Sequence, residues 1–281
     1  MSHELFGYEK LAYDRDTRVQ GGWYAFQSEL ADRPGNLGWP SLMIEAHLKK
    51  LRVRDNISAE EEESIRGAML EVREVQADAP VIRHGTELHE SILLLEGWMA
   101  RTTAMASGHQ QISELQFCGD FVDLHGFTLK RLDHNVMAIT DCRYAVFPHE
   151  RLRAMLEKHP HLTRVYWLMT NIDAAIHREW TVSLGRRQAP GRMAHLFCEI
   201  LERLKIVGQT HGNSYDFPLT QQELGDCLGL TSVHVNRTLQ GLRKLKLIEV
   251  EKNRVNILDL KGLQALAEFE TDYLYLERNA R

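Results

Sequence analysis

Apolar and polar positions along the chain change period several times, and each change marks a different kind of element. Between residues 41 and 75 the spacing is helical. Leu42, Ile44, His47, Leu48 and Leu51 come first, then a second start at Ser58 with Glu61 three residues on, the reciprocal spacing of a capping box. From about residue 80 to 147 the chain breaks into short apolar runs punctuated by glycine. Val81-Ile82 precede Gly85, Ile92 to Leu95 precede Gly97, Trp98 to Thr103 precede Gly108, Ile112 to Phe117 precede Gly119, and Val136 to Ile139 and Tyr144 to Phe147 follow. Strands at roughly 8–12-residue intervals with turn residues between them predict a β-sandwich or small barrel. Helical spacing returns over 149–184, as a short helix with Leu152, Met155 and Leu156 ending near His159-Pro160, then a long one from about His161 to Leu184. In the long helix Val165, Met169, Ile172 and Ile176 recur at intervals of 4, 3 and 4. That is the seam of a coiled coil, or the inward face of a helix lying on the sheet, and one helix can serve both with different faces. A further helix is expected over 192–207, around Ala194, Leu196, Phe197, Ile200, Leu201 and Leu204.

The pattern is most specific over 219–247, LTQQELGDCLGLTSVHVNRTLQGLRKLKL. Thr220 with Glu223 has capping-box spacing, and Leu224 and Leu228 at i, i+4 form a buried stripe. Gly225 leaves room for a close neighbour, and Gly229 can take the left-handed conformation that ends a helix. Thr231 caps the next helix, whose Val235, Leu239 and Leu242 pack inward. Ser232, Val233, Asn236 and Arg237 are left on the outer face near its N-terminus. Two such helices make a helix-turn-helix, whose second helix can enter a major groove, where Arg pairs with guanine and Asn with adenine. The bland alternative is a pair of capped helices in an ordinary helical domain. Residues 247–251 then alternate apolar and polar, Lys252-Asn253 give a turn, and Val255-Asn256-Ile257 alternate again. A hairpin directly after a recognition helix makes a wing, with Lys252 and Arg254 at its tip facing phosphate or simply solvent.

Composition and charge refine this. The chain has 281 residues, enough for two domains with real cores, and a net charge of −5. Charge is unevenly placed: residues 186–262 carry 12 Lys+Arg against 8 Asp+Glu, a local +4, while 1–185 carry 20 against 27. The positive field surrounds the helix-turn-helix, where counterion release favours a polyanion. No apolar run approaches the roughly 20 residues needed to span a bilayer, and the first residues hold no apolar leader, so a cytoplasmic location without membrane contact is expected. Cys118, Cys142, Cys198 and Cys227 lack CxxC spacing and read as isolated buried thiols. There is no GxxxxGK, GxSxG or paired-cysteine site, so neither an enzyme nor a cofactor is expected. In the first 40 residues Gly21-Gly22, Pro34-Gly35 and Pro40 alternate with Trp23, Tyr24, Phe26 and Trp39, a loosely structured extension expected to dock on a partner surface, its own β domain being one candidate.

The order of β-roll, long helix and winged helix-turn-helix resembles the Crp/Fnr family of bacterial transcription regulators over roughly residues 41–262. The likeness is strongest in LTQQELGDCLGLTSVHVNRTL, and Gly119-Asp120-Phe121, Gly126 and residues 138–142 resemble the family's β-roll. The resemblance implies an α+β fold with an antiparallel β-roll of the cyclic-nucleotide-binding type, a long dimerisation helix carrying Val165, Met169, Ile172 and Ile176, and a C-terminal winged helix-turn-helix. The implied divisions are 1–40 extension, 41–148 sensor-like roll, 149–185 linker and dimer helix, 186–262 DNA-binding domain, and 263–281 C-terminal helix or tail. By position Arg237 matches the family's guanine-reading arginine. Ser232 and Val233 stand where the family often has Arg and Glu, so the operator half-site should differ. Thr220, Gln221, Gln222, Thr231 and His234 match places that hold phosphates. The implied partners are double-stranded DNA in a near-palindrome, a second copy of the chain, and RNA polymerase.

The sensor end departs from the family. Where cyclic-nucleotide binders carry a ribose-holding Glu and a phosphate-holding Arg-Ser pair, this chain has Leu124 and Leu132-Asp133. A carboxylate facing a phosphodiester repels it, so cyclic AMP is not the expected effector. Asp123, Leu124, His125 and His134 mark the expected pocket for an effector other than cyclic AMP. The alternative is a cupin-like metal- or small-molecule-binding barrel, suggested by His84, His89, His125 and His134. The segment His84-Gly85-Thr86-Glu87-Leu88-His89 lacks the close HxH spacing such a site would use, and no metal site is expected.

Overall fold

The computed structural model describes residues 44–279; the N-terminal extension expected over residues 1–40 lies outside them. The chain opens with helix α1 (Glu45–Arg52) and helix α2 (Ala59–Ala68), the latter capped as its sequence predicts. Ser58 Oγ accepts from the Glu61 N–H while Glu61 returns to the Ser58 N–H. The helical reading of 41–75 runs too far, because Glu71–Val75 is a strand, β1. Only five residues of it pair, with Val72 and Val75 half-buried between exposed Glu and Arg, so the alternation is short and charge-masked.

Six further strands follow as the glycine-punctuated runs predict: β2 (Pro80–Ile82), β3 (Glu90–Glu96), β4 (Met99–Ala104), β5 (Gln110–Gln116), β6 (Asn135–Ala138) and β7 (Cys142–Pro148). A one-turn helix α3 (Gly126–Leu129) lies between β5 and β6. The strands form two antiparallel sheets, ordered β1-β7-β3 and β2-β6-β4-β5. Strand β3 is apolar on both faces, because one covers α1, α2 and Phe147 while the other packs on Met99, Val122 and Val136. Gly119 can only be glycine. Its φ is +85° and a Cβ would strike the backbone of Ala46 and His47 in α1.

Helix α4 (His149–Lys158) and the long helix α5 (Pro160–Arg186) leave the sheet, and α6 (Ala189–Val207) begins the winged helix. The expected dimer seam is consumed inside the chain. Val165, Ile172 and Ile176 are buried, and Met169 is half-buried against the same clusters. The 4-3-4 spacing is real, but the stripe covers the protein's own core. The outward face of α5 instead carries Trp167, Asn171, Arg178, Thr181, Val182 and Gly185, with Trp167 66% exposed.

The C-terminal lobe contains β8 (Ser214–Asp216), α7 (Gln221–Leu228), α8 (Ser232–Lys244), β9 (Ile248–Glu251), β10 (Arg254–Ile257) and α9 (Leu260–Ala267). Its sheet has order β8-β10-β9, so the predicted hairpin gains a third strand too short to show a period. Helix α9 crosses the expected boundary at 262/263, starting from an Asp259 cap. Trp98, Ala100, Ile112, Leu115, Phe117 and Ile139 of the sensor-side strands belong to the same apolar cluster as Phe197, Leu201, Phe217 and Leu224. The two lobes therefore share a core, where two separate cores are what chain length suggests. Beyond α9 the tail returns to the start of the fold: Tyr273 donates to Glu199 (2.9 Å), and Arg54 donates to the Leu274 carbonyl (3.0 Å).

Candidate nucleic-acid interface

Each part of the helix pair has a local cause. Thr220 Oγ1 accepts from the Glu223 N–H (3.2 Å), and the Thr220 N–H donates to the Glu223 carboxylate (2.7 Å), which starts α7. Gly229, at φ +63°, ends it in the left-handed region. At Gly225 a Cβ would collide with the Leu230 carbonyl oxygen, so this glycine lets the turn fold back on α7. Thr231 accepts from the His234 N–H (3.3 Å) and starts α8. Val235, Thr238, Leu239 and Leu242 face inward. That burial leaves Val233, 72% exposed, with His234 and Arg237 exposed beside it.

The residues expected to read bases thus share one end of one helix, in different states. Arg237 and Val233 project freely, Asn236 accepts from Gln240 Nε2 (2.9 Å), and Ser232 Oγ donates to Gln222 Oε1 (3.0 Å). Among the residues expected to meet phosphate, Thr220 and Thr231 sit at helix starts, where N–H groups and helix dipoles favour anions, with Gln221 and His234 alongside. Lys252 is exposed at the wing tip in a two-residue turn whose residues both have positive φ, +46° and +62°, as a twisted hairpin requires. Arg254 departs from expectation. It pairs with Asp216 across the strands (2.8 Å), so a phosphate would have to displace a carboxylate.

At the sensor end, the expected pocket residues do not converge. Asp123 is fully buried and accepts from the Ile92 N–H (2.7 Å), and burial pushes its carboxyl up to about 7. Leu124 lies in the core with Phe121 and Phe147. Only His125 and His134 come together, their ring centroids 5.4 Å apart, and burial lowers both pKa values, that of His125 to about 3. Among the described residues no group of three or more His, Cys, Asp or Glu is arranged to hold a metal ion.

A buried ionic network between the lobes carries no motif along the chain. Arg101 on β4 donates to Glu114 (2.5 Å) and to Asp173 of α5 (2.9 Å). Arg203 of α6 meets Asp120 (3.2 Å) and Glu199 (3.3 Å), and Lys50 of α1 meets Asp120 (2.6 Å). Burial alone would raise Asp120, but Lys50 and Arg203 overcome it and hold the carboxyl at about 2. Glu114 goes the other way, because burial outweighs the attraction of Arg101. Apart from Arg203 and Glu199, one turn apart on α6, the partners lie 13 to 83 residues apart in sequence, so no local spacing announces them.

Residues 72–159 match the cyclic nucleotide-binding domain and residues 191–266 the Crp-like helix-turn-helix domain. A probable transcriptional activator of Rhizobium leguminosarum bv. viciae is 34% identical over 197 residues, covering 69% of this chain and 80% of that one. The chain belongs to the Crp/Fnr family. A second Crp/Fnr relative, the transcriptional activator protein FnrL of Cereibacter sphaeroides, is 31% identical over 206 residues, covering 71% of this chain and 82% of FnrL. The solved structure of FixK2 from Bradyrhizobium japonicum superposes with a TM-score of 0.64 over 70% of this chain and 96% of that one, at 19% identity, a likeness of fold. The Crp/Fnr assignment replaces the cupin-like reading of the sheet: its strands match the cyclic nucleotide-binding domain.

Proposed function

We propose that this Crp/Fnr regulator binds double-stranded DNA as a dimer, reads a near-palindromic operator with the N-terminal half of α8, and answers to a signal other than cyclic AMP. The observation that carries the reading is the solvent-facing end of α8, where Val233 and Arg237 project one turn apart beside two capped helix starts. Arg237 pairs with guanine, and Val233 offers a thymine methyl an apolar contact where a Glu would accept from cytosine. Lys252 and the helix starts at Thr220 and Thr231 hold the backbone, with Gln221, Gln222 and His234 beside them. Arg254 joins them only after leaving Asp216.

The second copy pairs along the outward face of α5. Trp167, Asn171, Arg178, Thr181 and Gly185 recur at intervals of 4, 7, 3 and 4, which keeps one face toward a partner helix. Two α8 helices one turn of DNA apart then require an operator with two-fold symmetry. RNA polymerase is the further partner under this reading, and the site of action is the cytoplasm. The departure from cyclic AMP rests on Leu124, packed into the core, and on Asp133, exposed, hydrogen-bonded to His134 (2.8 Å) and more acidic than usual because of that bond. Selection of DNA by the purified chain from a random pool tests the reading. An enriched inverted repeat with guanine and thymine in each half-site is expected. Enrichment of no sequence would refute it.

A further inference from the structure

A path of amide side chains runs from the sensor-side sheet to the first residue of α8. Gln110 and Gln111 open β5, just after the turn closed by the Met105 N–H on the His109 carbonyl. Gln111 Nε2 donates to the carbonyl oxygens of Asp226 (2.6 Å) and Cys227 (3.4 Å). These belong to the last turn of α7, where carbonyls have no partner within the helix. Gln110 Nε2 donates to Asp226 Oδ2 (3.0 Å), and Asp226 Oδ1 accepts from Gln222 Nε2 (2.8 Å), one turn earlier on α7. Gln222 Oε1 accepts in turn from Ser232 Oγ (3.0 Å). With this path closed, Val233, His234 and Arg237 still face solvent, so the contact does not cover the reading face.

We propose that the β4–β5 hairpin is a positioning element for DNA recognition, with Gln110 and Gln111 holding Asp226 and the end of α7 so that Gln222 and Ser232 are set before DNA arrives. The proposal rests on the DNA-reading function of α8. A glutamine side chain surrenders much rotamer freedom when it is fixed, and here contacts within the chain have already taken that freedom from Gln222. Its second amide N–H remains for a phosphate. Asp226 touches neither base nor phosphate in this scheme. Its carboxylate lies one helical turn from a phosphate contact and would repel DNA, and the Gln110 amide donated to it offsets that charge.

The test uses the full chain, the duplex it selects from a random pool, and a scrambled duplex of the same composition. Gln110→Ala with Gln111→Ala should weaken binding to the selected duplex about threefold to tenfold, the range for one net hydrogen bond. Binding to the scrambled duplex, carried by Lys and Arg charge, and the urea midpoint should hardly move. In an Asp226→Ala background, Gln110→Ala alone should cost nothing further, because the two act as one unit. Equal losses on both duplexes, no loss on the selected duplex, or additive losses in the Asp226→Ala background would each overturn the positioning role. If the unaltered chain selects no sequence, the DNA reading falls and the inference with it; selection that survives beside unchanged variant affinity overturns the inference alone.

Discussion

Phe117 joins the sensor-side sheet to the winged helix, and removing its ring should loosen both. The residue is fully buried directly after β5, with its ring edge-to-face against Trp98 at 4.6 Å. The Arg203 guanidinium of α6 lies 4.6 Å from the ring centroid, and Trp98 in turn meets Phe217 of the C-terminal lobe at 6.1 Å. Phe→Ala at a buried site costs about 3–5 kcal/mol through lost transfer energy and the cavity left behind. The ring pair adds about 0.5–1.5 kcal/mol, and the cation–π contact up to roughly 2 kcal/mol where it is desolvated. These contributions overlap in one measurement, so Phe117→Ala should cost about 4–5 kcal/mol, a large share of the roughly 5–15 kcal/mol that holds a domain together. Phe117→Leu keeps most of the volume and should cost about 1–2 kcal/mol. Urea unfolding followed by hydrogen exchange reports each lobe separately. A single transition is expected, with amides of β3 and of α8 losing protection together. Loosened β3 amides beside wild-type protection in α8 would refute the shared core.

Three further outcomes follow from the same contacts. Asp123 is raised to about 7 by burial, so between its usual range near 4 and pH 7 the folded state holds a proton that the unfolded state has lost. Its contribution to stability therefore falls as pH rises through that window; Asp123→Asn should flatten the pH dependence of the urea midpoint, and parallel curves for variant and wild type would contradict this. Trp167→Asp with Val182→Asp places charge on the outward face of α5 and should yield monomers in sedimentation with the melting temperature nearly unchanged, whereas an intact dimer would move the interface elsewhere. Cyclic AMP at millimolar concentration should leave the melting temperature unmoved, and a shift of several degrees would restore a nucleotide pocket despite Leu124 and Asp133.

What could be read from residues alone depended on distance along the chain. The pair α7–α8 was legible because its caps, its glycine turn and its buried stripe are all set within a few residues of one another. The strands were legible wherever alternation lasted and glycine marked the turn, and β1 was lost because five residues of mixed charge follow a well-capped helix. The α5 seam shows the limit of periodicity. A 4-3-4 stripe states that one face is buried and says nothing of whether a second copy or the same chain buries it, and here Val165, Ile172 and Ile176 cover the protein's own core. The network of Arg101, Glu114, Asp120, Asp173 and Arg203 has no sequence signature, since strands and helices remote in the chain bring its members together. The same holds for Arg254, which the wing pattern exposes and the neighbouring β8 then neutralises with Asp216.

On the proposed reading Arg237 reads a base within an operator chosen by α8. The most direct measurement is the affinity of the wild-type chain and of Arg237→Ala for the selected duplex and for duplexes changed at one guanine per half-site. The variant should lose about 1–3 kcal/mol per half-site on the selected duplex and should no longer distinguish guanine from its replacements at that position. Full sequence preference retained by Arg237→Ala would contradict the account.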